Sequence, residues 1–342
     1  MKAIYQATCR IGNIDARTVW GSCDTIAAVE VTFLGTSSGA PSRARNVSAT
    51  ALHLPQRGEW WLVDCGEGTQ QQILRASHVR LSQLTRIFLT HLHGDHIFGL
   101  PGLLASRALA QGGVGPVTIY GPEGVEAWLK ATLRAAGMRF GFPVSFVTVK
   151  PGVICTDGEF LVKAAPVRHR IEAYAYAVCE AEQAGRFDVE AARALGIPPG
   201  PLYGKLKAGE RVTLDNGRVI EGASLVGPTR PGRILVFSGD TGPSSELVTL
   251  AQGADLLIHE ATYSEHDREL ADRAAHATAT IAAEAALAAG ARALVLTHFS
   301  ARYESGEAAV NLETLLAEAR AIFPETRLAY DLLRVSVPRR DE

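Results

Sequence analysis

The sequence of 342 residues is short of net charge, of paired cysteines and of long apolar runs. A formal net charge of −2 provides no global positive field, so a polyanionic partner would have to be drawn by metal ions and local basic loops. The five cysteines, Cys9, Cys23, Cys65, Cys155 and Cys179, are scattered, odd in number and form no Cys-x-x-Cys pair. They read as the reduced thiols of a cytosolic protein. No stretch reaches the length of a membrane span, and Met1 to Glu30 lacks the basic cluster and unbroken apolar run of a secretory signal. A soluble, cytoplasmic protein with no membrane contact is therefore expected. No internal repeat or low-complexity tract is evident.

What is present is ordinary globular composition, with 47% hydrophobic and 20% charged residues. Residues 1–28 are irregular and read as an extension, followed by one large domain over 29–342 that begins with the strand-like run Val29–Leu34. Further strands are expected near Thr50–Leu54, Trp60–Val63, Arg86–Leu89, Val117–Tyr120, Val144–Val149, Leu161–Val167, Tyr174–Cys179, Arg233–Phe237, Ala254–Ile258, Ala293–Leu296 and Arg327–Ala329. Helices are expected at Gly68–Ala76, Pro101–Ala110, Gly124–Ala136, Ala274–Ala289 and Ala308–Ile322. The mixture predicts layered α/β structure. Between about 180 and 228 the pattern loosens into Gly- and Pro-rich sequence, which reads as an insertion.

The densest chemical signal is His91-Leu92-His93-Gly94-Asp95-His96, four ligand-capable side chains within six residues just after a predicted strand. A lone histidine is more often structural, but such crowding is costly to hold without a metal. Imidazole and carboxylate donors suit zinc. A natural division gives His91 and His93 to one ion and Asp95 and His96 to another, with two more histidines and a bridging carboxylate to complete them. Candidate donors also follow other predicted strands: His169, Asp240 and His298. Strands of common direction would gather all of these on one rim.

Here the chain resembles the metallo-β-lactamase superfamily, and the resemblance assigns the remaining roles. It implies a four-layered αβ/βα sandwich holding two zinc ions. His169 would join His91 and His93, His298 would join Asp95 and His96, and Asp240, in Phe237-Ser238-Gly239-Asp240-Thr241-Gly242, would bridge. Asp64, in Asp64-Cys65-Gly66-Glu67-Gly68-Thr69-Gln70, would orient a ligand histidine. The metal motif alone fits hydrolases of lactones, thioesters, sulfate esters or phosphodiesters.

Three further segments narrow the choice. Leu34-Gly35-Thr36-Ser37-Ser38-Gly39-Ala40-Pro41-Ser42-Arg43-Ala44-Arg45-Asn46 is similar to the amino-terminal motif of the ribonuclease Z family, endonucleases that trim the 3′ end of precursor tRNA. In that family the Pro-x-Arg/Lys-x-Arg-Asn portion is associated with sensing the CCA end, and Arg43 and Arg45 suit forked phosphate contacts. Gly200-Pro201-Leu202-Tyr203-Gly204-Lys205-Leu206-Lys207-Ala208-Gly209 is similar to the family's flexible tRNA-gripping arm, with Lys205, Lys207 and Arg211 as phosphate contacts and Tyr203 to pack or stack. Ile258-His259-Glu260-Ala261-Thr262-Tyr263, followed by Ala275-His276-Ala277-Thr278, implies that Glu260 and His276 together protonate the leaving oxygen while Asp95 accepts a proton from the attacking water. Ala277 stands where the family often has serine, and His259 is read as structural. The resemblance also implies a homodimer acting on precursor tRNA. A small-molecule hydrolase of the same superfamily, or a non-catalytic RNA-binding member, are the alternatives.

Overall fold

Strand sequences such as Val-Glu-Val-Thr-Phe-Leu-Gly are buried along almost their whole length on both faces, so their sheets must be covered twice. The computed structural model describes residues 29–109, 115–304 and 309–340; the extension 1–28, with Cys9 and Cys23, lies outside the described residues. Two seven-stranded sheets pack face to face with helices on both outer sides, the four-layered arrangement expected.

In chain order the first sheet takes β1 (Val29–Gly35), β2 (Ala49–Leu54), β3 (Glu59–Val63), β4 (Leu84–Phe88), β5 (Val117–Gly121) and β6 (Val144–Thr148). The second takes β7 (Gly152–Thr156), β8 (Phe160–Pro166), β9 (Tyr174–Glu180), β12 (Ile234–Phe237), β13 (Leu256–Glu260), β14 (Leu294–Thr297) and β15 (Thr326–Leu328). β10 (Arg211–Thr213) and β11 (Val219–Glu221) form a separate hairpin, and β16 (Arg334–Val337) returns to pair antiparallel with β1. Strand alternation divides Trp60 from Trp61: Trp61 enters the core between the sheets with Phe33, Phe88, Phe160 and Tyr176, whereas Trp60 faces the outer helices.

Helices α1 (Thr69–Arg75), α3 (Leu100–Leu109) and α4 (Val125–Ala135) flank the first sheet, and between α1 and α3 lies the single turn α2 (Gly94–Ile97). α7 (Ser245–Leu250), α9 (Ala279–Ala288) and α10 (Leu312–Ile322) cover the second, where Ala282, Ala283 and Ala286 bring α9 close. An Ala-rich helix is expected over Ala274–Ala289; it is present as α9 but starts later, after a separate short helix. α8 (Arg268–Ala274) ends at Ala275 in a left-handed conformation, φ 57°, and α9 restarts behind Thr278, whose hydroxyl accepts from the Ile281 amide. The break places His276 in the intervening loop, so local helix propensity yields to the site.

The insertion also departs from expectation. It is a folded module: α5 (Val189–Ala194), α6 (Pro201–Lys207) and the β10–β11 hairpin enclose a core of Ala192, Ile197, Leu206, Val212, Ile220 and Leu225. Pro201 opens α6 and left-handed Gly209 follows it, so the Gly/Pro pattern read as loop is helix punctuation. The module joins the body through a narrow neck in which Gln183 pairs with Arg230 and Phe187 with Val226. A side chain at Gly185 would meet the Gly227 carbonyl at 1.9 Å.

Candidate metal centre

Parallel pairing builds the rim. β3 runs parallel to β4 with Val63 opposite Phe88, which sets Asp64 beside Thr90 and the His91–His96 segment. β12, β13 and β14 are parallel, with Phe237 opposite Ile258 and Glu260 opposite Thr297, so Asp240, Glu260 and His298 emerge side by side. β8 and β12 are both antiparallel to β9 and so share a direction, which brings His169 to the same end.

Two groups of four donors share Asp240: His91, His93, His169 and Asp240, and Asp95, His96, Asp240 and His298; a third set of three, Glu260, His276 and His298, adjoins the second. In the first, His93 Nδ1 lies 3.0 Å from His91 Nε2 and 3.1 Å from His169 Nε2. In the second, His96 Nε2 and His298 Nε2 are 3.3 Å apart, and each is 3.3 Å from Asp240 Oδ2. Asp95 Oδ2 is 3.3 Å from His298 Nε2 and 3.5 Å from that of His96. A tetrahedral ion with ligands near 2.0–2.1 Å spaces them by roughly 3.3–3.4 Å. The donors thus fit a binuclear metal site without rearrangement.

The opposite ring nitrogens are held as a metal centre requires. His96 Nδ1 is 2.8 Å from Asp64 Oδ2, His169 Nδ1 donates to the Ala275 carbonyl at 3.0 Å, His91 Nδ1 meets Thr90 Oγ1 at 3.0 Å and His298 Nδ1 meets Thr262 Oγ1 at 2.8 Å. Backbone strain is concentrated here. Among the described residues four non-glycines have positive φ, and three of them are Asp64, Ala275 and His298, a conformation L-residues adopt only when their surroundings impose it. Gly94 opens α2, and a Cβ there would meet the ring of exposed Phe98 at 2.3 Å, which would have to swing aside.

Electrostatics agree with a cation site. Burial, with the neighbouring His96, pushes His91 down to about 2, and burial likewise lowers His93 and His169, keeping lone pairs free. Burial works against charge on His96 as well, but Asp240 and Asp64 outweigh it and raise that imidazole well above its usual range. The same two carboxylates favour a cation between the donors. Asp240 itself, despite burial, is held well below the ordinary carboxylate range by His298, His96 and His91.

At the edge of the centre Glu260 Oε1 accepts from His276 Nδ1 at 2.8 Å and from the Thr241 amide at 2.7 Å. Burial opposes protonation of His276, yet Glu260 more than compensates and lifts it to about 9. His259 turns away, its Nδ1 bonded to the Glu260 carbonyl at 2.7 Å.

The expected RNA contacts divide. Arg43 is exposed and lines a cavity of about 310 Å³ with Gln71, Gln72, Arg75 and Asp331. Arg45 lines the same cavity but turns its guanidinium inward, donating to Thr36 Oγ1 at 2.6 Å and to the Ala329 carbonyl at 2.8 Å, with the guanidinium 5.0 Å from the Phe299 ring centre. It is a strut that shapes the loop. Tyr203 packs on Phe187 and donates to the Ile197 carbonyl at 3.0 Å, so it builds the module's core and is not free to stack on a base. Lys205 and Lys207 are exposed on α6, and exposed Arg211 pairs with Glu221 at 2.6 Å. Thr90, Thr241 and Thr262 were not singled out from sequence. Their only sequence signal is closeness to a candidate site residue: Thr90 and Thr241 are next to His91 and Asp240, and Thr262 is two residues after Glu260.

Comparison with known proteins agrees with this architecture. Residues 43–167 match the Metallo-beta-lactamase superfamily and 207–299 the Beta-lactamase superfamily domain. Ribonuclease Z of Nostoc sp. is 56% identical over 92% of this chain and 97% of its own length. Ribonuclease Z of Brevibacillus brevis is 52% identical over 90% and 97%. The crystal structure of the short form of human tRNase Z aligns with a TM-score of 0.64 at 30% identity, over 90% of this chain and 99% of that one. Fold and donor set define a binuclear metallohydrolase of the metallo-β-lactamase superfamily. Within it, the chain belongs to the ribonuclease Z family.

Proposed function

We infer that this protein is an endoribonuclease that removes the 3′ trailer of precursor tRNA, leaving a 3′-hydroxyl on the tRNA and a 5′-phosphate on the trailer. The observation that carries this reading is the extent of its likeness to Ribonuclease Z of Nostoc sp.: 314 aligned residues leave too few unaligned to omit the inserted module. A small-molecule hydrolase has no need of that module.

The ions are assigned as two zincs per subunit, the first held by His91, His93 and His169, the second by Asp95, His96 and His298, with Asp240 between. When bound, they supply Lewis acidity at the phosphate oxygens and bring water to the point of ionising near neutral pH. Asp95, whose Oδ2 accepts from the Gly39 amide at 2.8 Å, is assigned to take the proton of the attacking water. His276 is oriented by Glu260 through Nδ1, which leaves Nε2 to protonate the departing 3′ oxygen. A protonated imidazole at the start of the cycle is what that role needs, and Glu260 supplies the charge that favours it.

Arg43 is assigned to the substrate's terminal phosphates, and Lys205, Lys207 and Arg211 to the tRNA body, where such contacts position an RNA without reading its sequence. Homodimerisation and a cytoplasmic location belong to the same proposal; among the described residues no helix is long and apolar enough to cross a membrane. The assignment is tested by replacing the module. Removing residues 186–227 at the neck should weaken precursor-tRNA binding about tenfold or more, by loss of phosphate contacts, and spare hydrolysis of a small phosphodiester. Equal loss on both substrates would count against it.

A further inference from the structure

The two halves of the site contain the same device. In the first, Asp64 holds His96 directly, Oδ2 to Nδ1 at 2.8 Å, and reaches His91 through Thr90, whose hydroxyl lies 2.9 Å from Asp64 Oδ2 and 3.0 Å from His91 Nδ1. In the second, Glu260 holds His276 directly at 2.8 Å and reaches His298 through Thr262, whose hydroxyl lies 2.6 Å from Glu260 Oε2 and 2.8 Å from His298 Nδ1. An ionised carboxylate only accepts and a hydroxyl has one proton to give. Each threonine therefore donates to its carboxylate and accepts from the histidine Nδ1–H. That leaves the Nε2 lone pairs of His91 and His298 facing the other donors.

The halves differ in one respect. Both imidazoles served by Asp64 belong to the two groups that share Asp240, whereas Glu260 serves His298 of the second group and His276, which lies outside both and is assigned to the leaving oxygen. Thr262 Oγ1 also lies 3.3 Å from His276 Nδ1. We propose that Thr262 is a positioning residue that fixes the tautomer and ring plane of His298 and, through Glu260, couples occupation of the second metal site to the orientation of His276. The proposal rests on the metal-centre and leaving-group reading above. Among the described residues, the second carboxylate oxygen of Glu260, Oε2, otherwise receives the Thr262 amide, at 3.2 Å. Without the hydroxyl, His298 Nδ1–H is buried with no acceptor and Glu260 is released toward His276 alone.

The test compares Thr262→Val, which keeps the shape and removes the hydroxyl, with Thr262→Ser, which keeps the hydroxyl. Zinc affinity is measured by chelator competition, histidine tautomers by nitrogen NMR of isotope-labelled protein, and kcat and KM on precursor tRNA at saturating zinc. The valine variant should lose about 10- to 100-fold affinity for one of its two ions. Its kcat should fall by a similar factor with KM little changed, and serine should restore both. In the wild type, His298 and His276 should both carry the proton on Nδ1. A valine variant that binds both ions and turns over like the wild type would overturn the proposal, as would a wild-type His298 protonated on Nε2. Should the valine variant fail to fold, the wild-type tautomers and the serine variant still decide: wild-type zinc affinity and kcat in serine with both Nδ1 protons present support the relay, and loss of either counts against it. Zinc affinity and tautomers are read without RNA, so a wild type that ignores precursor tRNA would refute the functional reading and leave this one standing.

Discussion

At the scale of single residues, the proposed function separates candidate metal donors from the imidazole assigned to the leaving oxygen. His276 is bound through Glu260 and lies 3.9 Å from Asp240, outside both four-donor groups. His276→Ala should therefore lower the single-turnover cleavage rate by about 10²- to 10⁴-fold, the usual worth of a general acid, while elemental analysis still finds the wild-type metal content. The sign of the pH effect follows from the raised imidazole: protonated His276 is available below its pKa and lost as pH rises through it. The alkaline fall of the wild-type rate should be missing from the variant. Loss of metal in His276→Ala would instead make it a structural ligand. Arg43 and Arg45, two residues apart, should behave oppositely. Arg43→Ala should leave the thermal midpoint in place and weaken RNA binding. Arg45→Ala should lower the midpoint, because it strips hydrogen bonds from Thr36 and the Ala329 carbonyl, and thermal melts of the two variants distinguish these outcomes.

At the scale of elements, what was legible in the sequence is what repeats along it. Apolar runs such as Val117–Gly121, β-branched, and Tyr174–Glu180, aromatic and small, lie where hydrophobic pattern puts them, and candidate ligands at strand ends share a rim because parallel pairing forces a common direction. What was not legible depends on contacts from elsewhere. β7 is an edge strand with mostly exposed residues, so it shows no clean alternation, and β16 is four residues whose partner, β1, stands at the far end of the domain. The break between α8 and α9 brings the Ala275 carbonyl to His169; its one local signal in the Ala-rich sequence is Thr278, the cap behind which α9 starts. The inserted module was misread as loose because its glycines and prolines bound helices and turns. Its six buried side chains form a core of their own, so replacing Leu206 by Ala should unfold the module locally. Hydrogen exchange should rise across 188–225 by local opening and stay unchanged in the two sheets. Exchange rising everywhere would show that the module is not a separate cooperative unit.

At the scale of the whole molecule, one buried ion pair ties the sheets together. Arg233, just before β12, bonds Glu180 at the end of β9 at 2.8 Å and donates to the Val337 carbonyl of β16 at 3.1 Å. Arg339 meets the other Glu180 oxygen at 2.7 Å. Glu180→Ala leaves a buried guanidinium without its anion and should cost about 3–5 kcal/mol of stability in urea unfolding. Burial alone would raise the Glu180 carboxyl, but Arg233 and Arg339 hold it below its ordinary range. Its contribution is therefore complete above the unfolded glutamate range, near 4.3, and is lost as pH falls through the lower folded value. The wild type should lose stability in that acid window faster than the variant.

Fold, candidate metal donors, the Glu260–His276 pair and the inserted module are assigned to one reaction, and a single assay addresses it. Purified protein with bound zinc quantified is incubated with a precursor tRNA carrying a 3′ trailer, and both product ends are identified. The result expected is one endonucleolytic cut giving a tRNA with a 3′-hydroxyl and a trailer with a 5′-phosphate, abolished when the metal is chelated. A protein that holds two metal ions yet leaves that RNA intact while hydrolysing lactones or thioesters would contradict it.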